Sequence, residues 1–444
     1  MTIAERIQSL EKFGIKPGLE RIAAMLDCLD HPEKAYKIII VGGTNGKGST
    51  CSMIDSILRG SGYKTGLYTS PHLVSMQERI KVNGEMIDQA SFDAIGERLF
   101  DIIGSRAELS DFTYFEFMTA AALLHFNRQK IDIAVLEVGM GGRFDATNAV
   151  QPDISVITNI ALDHQLYLGT TEQEIAREKA GIIRSGKPFV TTDINPVSRQ
   201  ILEEECTNKR GILYAMERAF STSGNEADFS FYNDQRTIHG LRLALKGRHQ
   251  LTNAAAAIQA VLLIDEAVTK VADNSIRDGL LKTSWPGRFE IIRKHPDVIL
   301  DSAHNPAGIQ SLVKTVKDYY LTPLNPSYQE ESNRKHPSYQ GKTKLVTVVF
   351  AVSKDKQWQS MITQLSEIAD TFVLTSYTGE RGAAPEELAR FIRSSRFSGP
   401  DRVHVIASSR SALNHALAIT PAHGVIVVTG SIFLIGEIKM EIQV

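Results

Sequence analysis

The stretch IIIVGGTNGKGSTCSMIDSIL, residues 38–58, decides the fold of the first part of this chain. It opens with four apolar, β-branched residues, a run that predicts a buried parallel strand. From Ser49 to Leu58 the apolar residues recur at a helical spacing. The glycines Gly43, Gly46 and Gly48 therefore lie between a strand and a helix, where backbone N–H groups and the positive end of the helix converge.

The loop between this strand and helix departs from the common phosphate-loop pattern G-x-x-x-x-G-K-[ST]. Val41 stands where the first glycine is expected, and Gly48 follows Lys47 where a hydroxyl residue is expected. The glycines would still let the backbone approach an anion, Lys47 could reach terminal phosphates, and Ser49 or Thr50 could face a Mg²⁺ ion. We therefore predict that the loop binds a nucleotide, with an ordinary glycine-rich turn as the alternative, and it does not by itself identify a reaction.

The composition restricts the class of protein. A length of 444 residues predicts two or three domains, and 49 basic against 51 acidic residues indicate no nucleic-acid or membrane surface. Cys28, Cys51 and Cys206 are scattered, which favours reduced thiols in the cytoplasm over a disulfide framework. Residues 1–14 are charged and are not expected to be a secretory signal, and no apolar run reaches the ~18 residues of a membrane span.

Strand-like segments alternate with helical patterns along the chain, which predicts an α/β fold with a parallel sheet and helices on both of its faces. The first series of predicted strands comprises Ile38–Val41, Ile131–Val138, Ile154–Ile157 and Phe189–Thr191. The second series comprises Val298–Leu300, Leu345–Phe350, Phe372–Thr375, Val403–Ile406 and Val425–Val428. The second series predicts a smaller α/β domain.

The sequence TSWPGRFE, residues 283–290, holds the predicted domain boundary, because its Pro and Gly suit a linker. We expect a nucleotide-binding domain at 1–285 and a C-terminal domain at 286–444. Residues 321–343 are polar and carry PSYQ twice, which predicts a surface insertion in the second domain.

Polar residues follow several of the predicted strands, at the edge where open α/β sheets bind ligands. Glu137 ends one strand and His164 follows another, and with the hydroxyl of Ser70 they could hold a hard cation beside the loop. The alternatives are a cap or salt-bridge partner for Glu137 and a structural role for His164.

Five further residues stand out, and for two of them, Asn253 and Arg288, the pattern leaves two interpretations open. On its helical pattern Lys179 is predicted to be a solvent-exposed helix lysine. Asn253, in the first turn of an alanine-rich helix, could bind a base or ribose or simply cap the helix. Arg288 could meet phosphates when the domains close, or form a salt bridge. Asp301 and His304 follow a predicted strand of the second domain.

Taken together, the motifs resemble one family. GTNGKGST, TSPHL, EVGMGGRFDATN, LDH, REKAGII, GRHQLTN, WPGRFE, DSAHNP and VTGSIFL closely resemble, in this order, the folylpolyglutamate synthase/dihydrofolate synthase family of the Mur ligase superfamily. The resemblance implies an ATP-dependent ligase that joins L-glutamate to dihydropteroate or to a folate that already carries glutamate. The reaction would pass through an acyl phosphate and release ADP and phosphate.

The resemblance also implies roles for residues. Contacts to ATP fall on Asn45, Gly46, Lys47, Gly48, Ser49, Asn253, Arg288 and Asp301. Ligands of two Mg²⁺ ions fall on Ser70, Glu137, His164 and a carbamylated Lys179, and catalysis falls on Lys47, Lys179 and His164. Contacts to the pterin or glutamate substrate fall on Thr113, Tyr114, Phe115, Glu116, Phe144, Asp145, Ala146 and His304. Gln77 stands where the family often has Asn.

Two other activities fit parts of the pattern. A UDP-sugar peptide ligase of cell-wall synthesis would need an N-terminal domain for UDP, and only residues 1–37 precede the predicted loop strand. A P-loop phosphotransferase would keep a phosphorylated product, and a nucleotide switch would form no amide. The partners that we expect are small molecules bound by a monomer.

Overall fold

The computed structural model describes residues 1–265, 271–321, 344–379, 381–394 and 402–442. The chain divides into two compact units, one of residues 1–244 with 250–284 and one of residues 245–249 with 285–444. Apart from Leu321, the predicted insertion at 321–343 lies outside the described residues.

The helices up to residue 282 are α1 (Ile3–Gln8), α2 (Glu20–Cys28), α3 (Lys47–Gly60), α4 (Gln89–Ser105), α5 (Tyr114–Arg128), α6 (Gln165–Leu168), α7 (Glu172–Lys179), α8 (Pro196–Asn208), α9 (His249–Asp265) and α10 (Asp273–Lys282). The strands of the main sheet are β1 (Lys37–Gly42), β2 (Thr65–Tyr68), β3 (Ile80–Val82), β4 (Glu85–Met86), β5 (Ile133–Glu137), β6 (Ile154–Ile157), β7 (Pro188–Thr191) and β8 (Ile212–Ala215).

The main sheet of the first unit has the strand order β4-β3-β2-β5-β1-β6-β7-β8. From β2 to β8 neighbouring strands are parallel, and β3 and β4 add an antiparallel edge. The four predicted strands are all present and the predicted fold class is confirmed. Strand β1 lies in the middle, so the loop that follows it opens at the centre of the sheet edge.

Both faces of this sheet are covered by helices. Ile38 and Ile40 belong to a core that includes α1, α2, α4 and α5. Ile39 and Val41 point to the opposite face, because strand side chains alternate, and both have 0% exposure. A strand buried on both faces explains the continuous apolar run in the sequence.

Helices α3 and α10 pack closely against each other, on the face of the sheet opposite the core that includes α1, α2, α4 and α5. The hydroxyl of Ser56 donates to the carbonyl of Gly279 at 2.7 Å, and a Cβ atom on Gly279 would lie 2.6 Å from the Cα of Ile57. Only a residue without a side chain lets the two helix backbones approach this closely.

We therefore expect Gly279→Ala to lower the free energy of unfolding by about 1–3 kcal/mol, since the added methyl group must push the helices apart. Urea denaturation would measure this. Gly104→Ala, near the end of α4, is the matched control, since nothing lies within 4 Å of a Cβ there. Equal stabilities of the two variants would contradict the packing argument.

A small antiparallel sheet was not predicted. It consists of β9 (Phe220–Asn225), β10 (Asp228–Asn233) and β11 (Thr237–Leu241) in the order β11-β10-β9. Strand β9 reads FSTSGN, and Phe220 is its one apolar and one buried residue, so the strand lacks the apolar alternation that marks a half-buried strand.

The second unit is a smaller α/β sheet with the strand order β12-β13-β17-β14-β15-β16. Its strands are β12 (Glu290–Arg293), β13 (Asp297–Leu300), β14 (Val346–Phe350), β15 (Thr371–Leu374), β16 (Val403–Val405) and β17 (Val425–Thr429). Its helices are α11 (Pro306–Val316), α12 (Trp358–Leu365), α13 (Pro385–Ser394), α14 (Ser409–Ile419) and α15 (Ile432–Ile442). Only β12 is antiparallel, and the five predicted strands are all present.

In the part of the chain that the structure describes, no helix has the length and apolar character needed to cross a membrane.

Candidate active site

The loop between β1 and α3 can be built only with glycine at two positions. Gly43 has φ 134° and Gly46 has φ 85°, both in the region that favours glycine. A Cβ atom on Gly43 would lie 2.0 Å from the hydroxyl oxygen of Thr158, and one on Gly46 would lie 2.4 Å from Oδ1 of Asn253. Asn253, predicted as an ATP contact, therefore lies directly against the loop.

The start of the loop is fixed to the chain that follows β6. The N–H of Thr44 donates to the carbonyl of Asn159 at 2.8 Å. The hydroxyl of Thr44 donates to the carbonyl of Ala161 at 3.1 Å and accepts from the N–H of Ala161 at 3.0 Å. These hydrogen bonds within the protein fix the position of Thr44 at the start of the loop.

The loop presents positive charge and the N-terminal turn of α3, whose N–H groups precede the first hydrogen bonds within the helix. Nζ of Lys47 donates to the carbonyls of Gly43 and Thr44, each at 3.1 Å, so its ammonium group folds over the loop. Helix α3 is 14 residues long and has no acidic residue in its first turn. Thr50, within that helix, has a buried hydroxyl without a hydrogen-bond partner among the described residues. This arrangement fits a phosphate group, for which the helix N-terminus is favourable.

Lys179 is buried, so its interpretation as a solvent-exposed helix lysine is wrong. Its side chain is 5% exposed, and Nζ donates to the carbonyl of Gly43 at 2.9 Å, beside Lys47. Burial, and secondarily the charge of Lys47, lower the pKa of Lys179 to about 7. The last turn of α7 points inward toward the loop, which the helical pattern did not show. A large share of this amine is therefore neutral at neutral pH.

Two of the predicted metal ligands lie together at neighbouring strand ends. Glu137, at the end of β5, is 4% exposed, and its Oε2 accepts from the backbone N–H of Ser70 at 3.0 Å. His164 is exposed and directly precedes α6, with φ 49°. Among the described residues no group of three or more His, Cys, Asp or Glu side chains forms a metal site. The carboxylate of Glu137 and the hydroxyl of Ser70 are nevertheless oxygen donors, which suit Mg²⁺.

Asp145 holds its own loop in shape. Its carboxylate accepts from the N–H of Met140 at 2.8 Å, and from the N–H and hydroxyl of Thr147 at 3.0 and 2.5 Å. Burial raises the pKa of Asp145, and these hydrogen bonds oppose that rise. Ala146 is buried and Phe144 is 49% exposed, so of the three predicted substrate contacts here Phe144 has the most open side chain.

The predicted substrate residues at the start of α5 also differ in role: Thr113 and Glu116 are bonded within the protein, whereas Tyr114 has a hydroxyl that is not bonded within the part that the structure describes. Thr113 and Glu116 form a capping box, and Nε of Arg21 binds both carboxylate oxygens of Glu116 at 3.0 and 3.2 Å. Phe115 packs on the ring of Tyr68. The hydroxyl of Tyr114 is buried and has no hydrogen-bond partner among the described residues. Tyr114 therefore has an unused donor.

The predicted residues of the second unit surround the end of β13. Oδ2 of Asp301 accepts from the N–H of Phe289 and Oδ1 accepts from the N–H of Ala303, both at 2.9 Å. Burial raises the pKa of Asp301, and the neighbouring Arg288 opposes the rise. Nδ1 of His304 lies 3.0 Å from the carbonyl oxygen of Ser302, so Nδ1 carries the proton.

Thr158 and Arg21 were not among the residues predicted to form the site. Thr158 stands next to Asn159 in VITNIALDH, yet its contact with Gly43 depends on the pairing of β6 with β1. Arg21 lies 95 positions from Glu116 in the chain. No local pattern reveals either contact.

Comparisons with known proteins agree along the whole chain. Residues 41–261 match the Mur ligase middle domain, and residues 334–432 match the Mur ligase glutamate ligase domain. A protein of Bacillus subtilis (strain 168) named dihydrofolate synthase/folylpolyglutamate synthase is 35% identical, over 97% of this chain and 96% of that protein. The structure of E.coli FolC in complex with DHPP and ADP has a TM-score of 0.86 and 30% identity, over 100% of this chain and 98% of that one. A bifunctional folylpolyglutamate synthase/dihydrofolate synthase with Mn, AMPPNP and L-Glutamate bound has a TM-score of 0.85 and 30% identity, over 100% and 98%.

Proposed function

The chain belongs to the dihydrofolate synthase/folylpolyglutamate synthase family of Mur ligases, and on that premise we propose that it joins L-glutamate to folates at the expense of ATP. Dihydropteroate, or a tetrahydrofolate that already carries glutamate, is the carboxylate substrate. The observation that carries this proposal is the glycine loop with Lys47, since its geometry at the centre of the sheet edge suits a phosphate group.

The chemistry follows from the weakness of a carboxylate as an acyl donor. Its leaving group would be oxide, whereas transfer of the γ-phosphoryl group converts it into an acyl phosphate. The amine of glutamate then attacks the carbonyl carbon, the C–O bond to phosphate breaks, and the amine loses a proton. ADP and phosphate are the other products.

Residues of the loop act on the phosphoryl group. The N–H groups of Gly46, Gly48 and Ser49 would bind phosphate oxygens, and the ammonium group of Lys47 would neutralise charge that spreads over the transferring group. Asn45 and Asn253 flank the cradle, and Arg288 and Asp301 remain predicted ATP contacts in the second unit.

Ser70, Glu137 and His164 would hold Mg²⁺, with Lys179 as a further ligand once it is carbamylated. The ion would neutralise phosphate charge and orient the phosphoryl group. A carbamate forms from a neutral amine and CO₂, so a lysine with a pKa of about 7 suits this modification. The two Mg²⁺ sites and the carbamate are proposals that rest on this chemistry and on the family.

For the folate substrate we propose contacts with Tyr114, Phe115 and Phe144, with Thr113, Glu116, Asp145 and Ala146 shaping the two loops around them and His304 as a further predicted contact. The three proposed contacts offer aromatic surface, and Tyr114 adds an unused hydroxyl.

We expect Tyr114→Phe to raise the KM for the folate substrate about 3- to 10-fold, because one hydrogen bond to the substrate is lost. Stability should stay within about 0.5 kcal/mol of wild type, since the hydroxyl has no partner in the protein. Tyr68→Phe is the control, because the hydroxyl of Tyr68 accepts from Thr119 at 3.2 Å and its loss should affect stability only. An unchanged KM in Tyr114→Phe would remove Tyr114 from the substrate site.

Glutamate-dependent release of ADP tests the proposed function. In the presence of ATP, Mg²⁺ and either dihydropteroate or tetrahydrofolate, we expect sustained formation of ADP only when glutamate is also present. Formation of ADP together with a stable phosphorylated product would indicate a phosphotransferase. Ligation only on a UDP-sugar peptide would indicate a cell-wall ligase. Nucleotide binding without any product would indicate a nucleotide switch.

We also propose that the protein acts as a monomer in the cytoplasm. All three cysteines are free thiols, which suits a reducing compartment. Light scattering of the purified protein would measure the oligomeric state.

A further inference from the structure

The side chain of Asn159 forms hydrogen bonds with both the backbone N–H and the backbone carbonyl of one loop residue, Asn45. The N–H of Asn45 donates to Oδ1 of Asn159 at 3.0 Å, and Nδ2 of Asn159 donates to the carbonyl of Asn45 at 3.1 Å. The hydroxyl of Thr158, which is 1% exposed, donates to the same carbonyl at 2.7 Å. We call Asn159 and Thr158 the loop clamp.

The clamp acts immediately before the phosphate-binding groups. The clamp bonds to both the backbone N–H and the carbonyl oxygen of Asn45, so the protein itself sets the orientation of these two groups. Gly46 follows with φ 85°, and α3 begins at Lys47. Asn159 and Thr158 therefore set the orientation of the peptide between Asn45 and Gly46, which directly precedes the N–H groups at the start of α3.

We propose that Asn159, together with Thr158, is a positioning residue for phosphoryl transfer: it holds the loop in the shape that presents its N–H groups to the phosphates of ATP. Neither residue is among the proposed ATP or metal contacts. The inference rests on the proposed function, because it concerns the phosphoryl transfer step of the ligase reaction. A displacement of about 1 Å at reacting groups can cost about 10²-fold in rate, so a clamp of this kind has a measurable effect.

Removing the amide tests the clamp. For Asn159→Ala we expect kcat/KM for ATP to fall about 10²-fold, ADP to bind about tenfold more weakly, and the KM for glutamate to stay unchanged. Asn159→Asp keeps the shape and the acceptor for the N–H of Asn45, but places an oxygen against the carbonyl of Asn45. It should therefore lose as much as the alanine variant.

Asn225→Ala is the matched control. Oδ1 of Asn225 accepts from the N–H groups of Ala227 and Asp228 at 2.9 and 3.3 Å in the turn between β9 and β10, so the same kind of bond is lost in another sheet. This variant should change stability at most and leave ADP affinity and kcat/KM for ATP as in wild type.

Thr158 provides a second pair of variants, which also decides the question if the Asn159 variants fail to fold. Thr158→Val keeps the shape without the hydroxyl, and Thr158→Ser keeps the hydroxyl. We expect ADP affinity to fall in the valine variant and to be retained in the serine variant.

The proposal would be overturned if Asn159→Ala and Asn159→Asp kept ADP affinities and kcat/KM values within about twofold of wild type. It would also be overturned if the two Thr158 variants had equal ADP affinities. Titration with ADP needs no turnover. An absence of glutamylated product from the wild type would therefore contradict the proposed function, whereas unchanged ADP affinity in the variants would contradict the clamp.

Discussion

Replacing Lys47 by alanine is expected to lower kcat about 10²–10³-fold, which corresponds to about 3–4 kcal/mol of lost transition-state stabilisation. The ammonium group of Lys47 bonds only to the carbonyls of Gly43 and Thr44 among the described residues, so the fold does not depend on it. Its charge is needed when negative charge spreads over the transferring phosphoryl group. Single-turnover measurement of ADP formation would report this step directly.

Lys37→Ala is the control for Lys47→Ala. Nζ of Lys37 donates to the carbonyl of Ile264 at 3.2 Å, so this variant also loses an ammonium–carbonyl bond, but at the opposite end of β1. It should turn over as wild type does. Near-wild-type turnover in Lys47→Ala, with a normal unfolding transition, would show that the loop does not carry phosphoryl transfer.

If Lys179 carries the proposed carbamate, Lys179→Ala is expected to reduce kcat by a similar factor, about 10²–10³-fold, because the oxygens that the carbamate would offer to Mg²⁺ are lost. Lys179→Arg should not restore activity, since a guanidinium group cannot form the carbamate. A short carboxylic acid added to the alanine variant should recover part of the rate by supplying the missing oxygens.

The pH dependence of carbamylation follows from the lowered pKa of Lys179. Because this pKa is about 7, the neutral amine that reacts with CO₂ predominates above pH 7 and is lost as the pH falls below it. We therefore expect activation by added bicarbonate to weaken below about pH 7. An active Lys179→Arg enzyme, or intact-protein mass spectra without a CO₂ adduct under activating conditions, would contradict the carbamate.

Sequence pattern predicted strands well where burial on both faces leaves a continuous apolar run. Ile154–Ile157 has the same bounds in the structure as in the prediction, and Ile38–Val41 differs by one residue at each end. The pattern failed for β9, whose polar residues carry no alternation. Strand order and the antiparallel edge depend on contacts between distant segments, which no local pattern contains.

Prediction of the candidate site was limited in the same physical way. Glycines and a lysine between a strand and a helix were sufficient to predict a tight loop at the end of β1, since local geometry determines it. Burial of Lys179 depends on how the last turn of α7 meets the loop, so the helical pattern gave the wrong exposure. Thr113 and Glu116 have the T-x-x-E spacing of a capping box, which the structure shows them to form.

Formation of an acyl phosphate is tested most directly by isotope transfer from the folate carboxylate. The substrate is prepared with ¹⁸O in the carboxylate that accepts glutamate, and mass spectrometry then follows the glutamylated product and the phosphate released. We expect a product that carries one more glutamate and a phosphate that carries one ¹⁸O atom, because the acyl phosphate passes its bridging oxygen to phosphate. Unlabelled phosphate, or ADP release without a glutamylated product, would contradict this expectation.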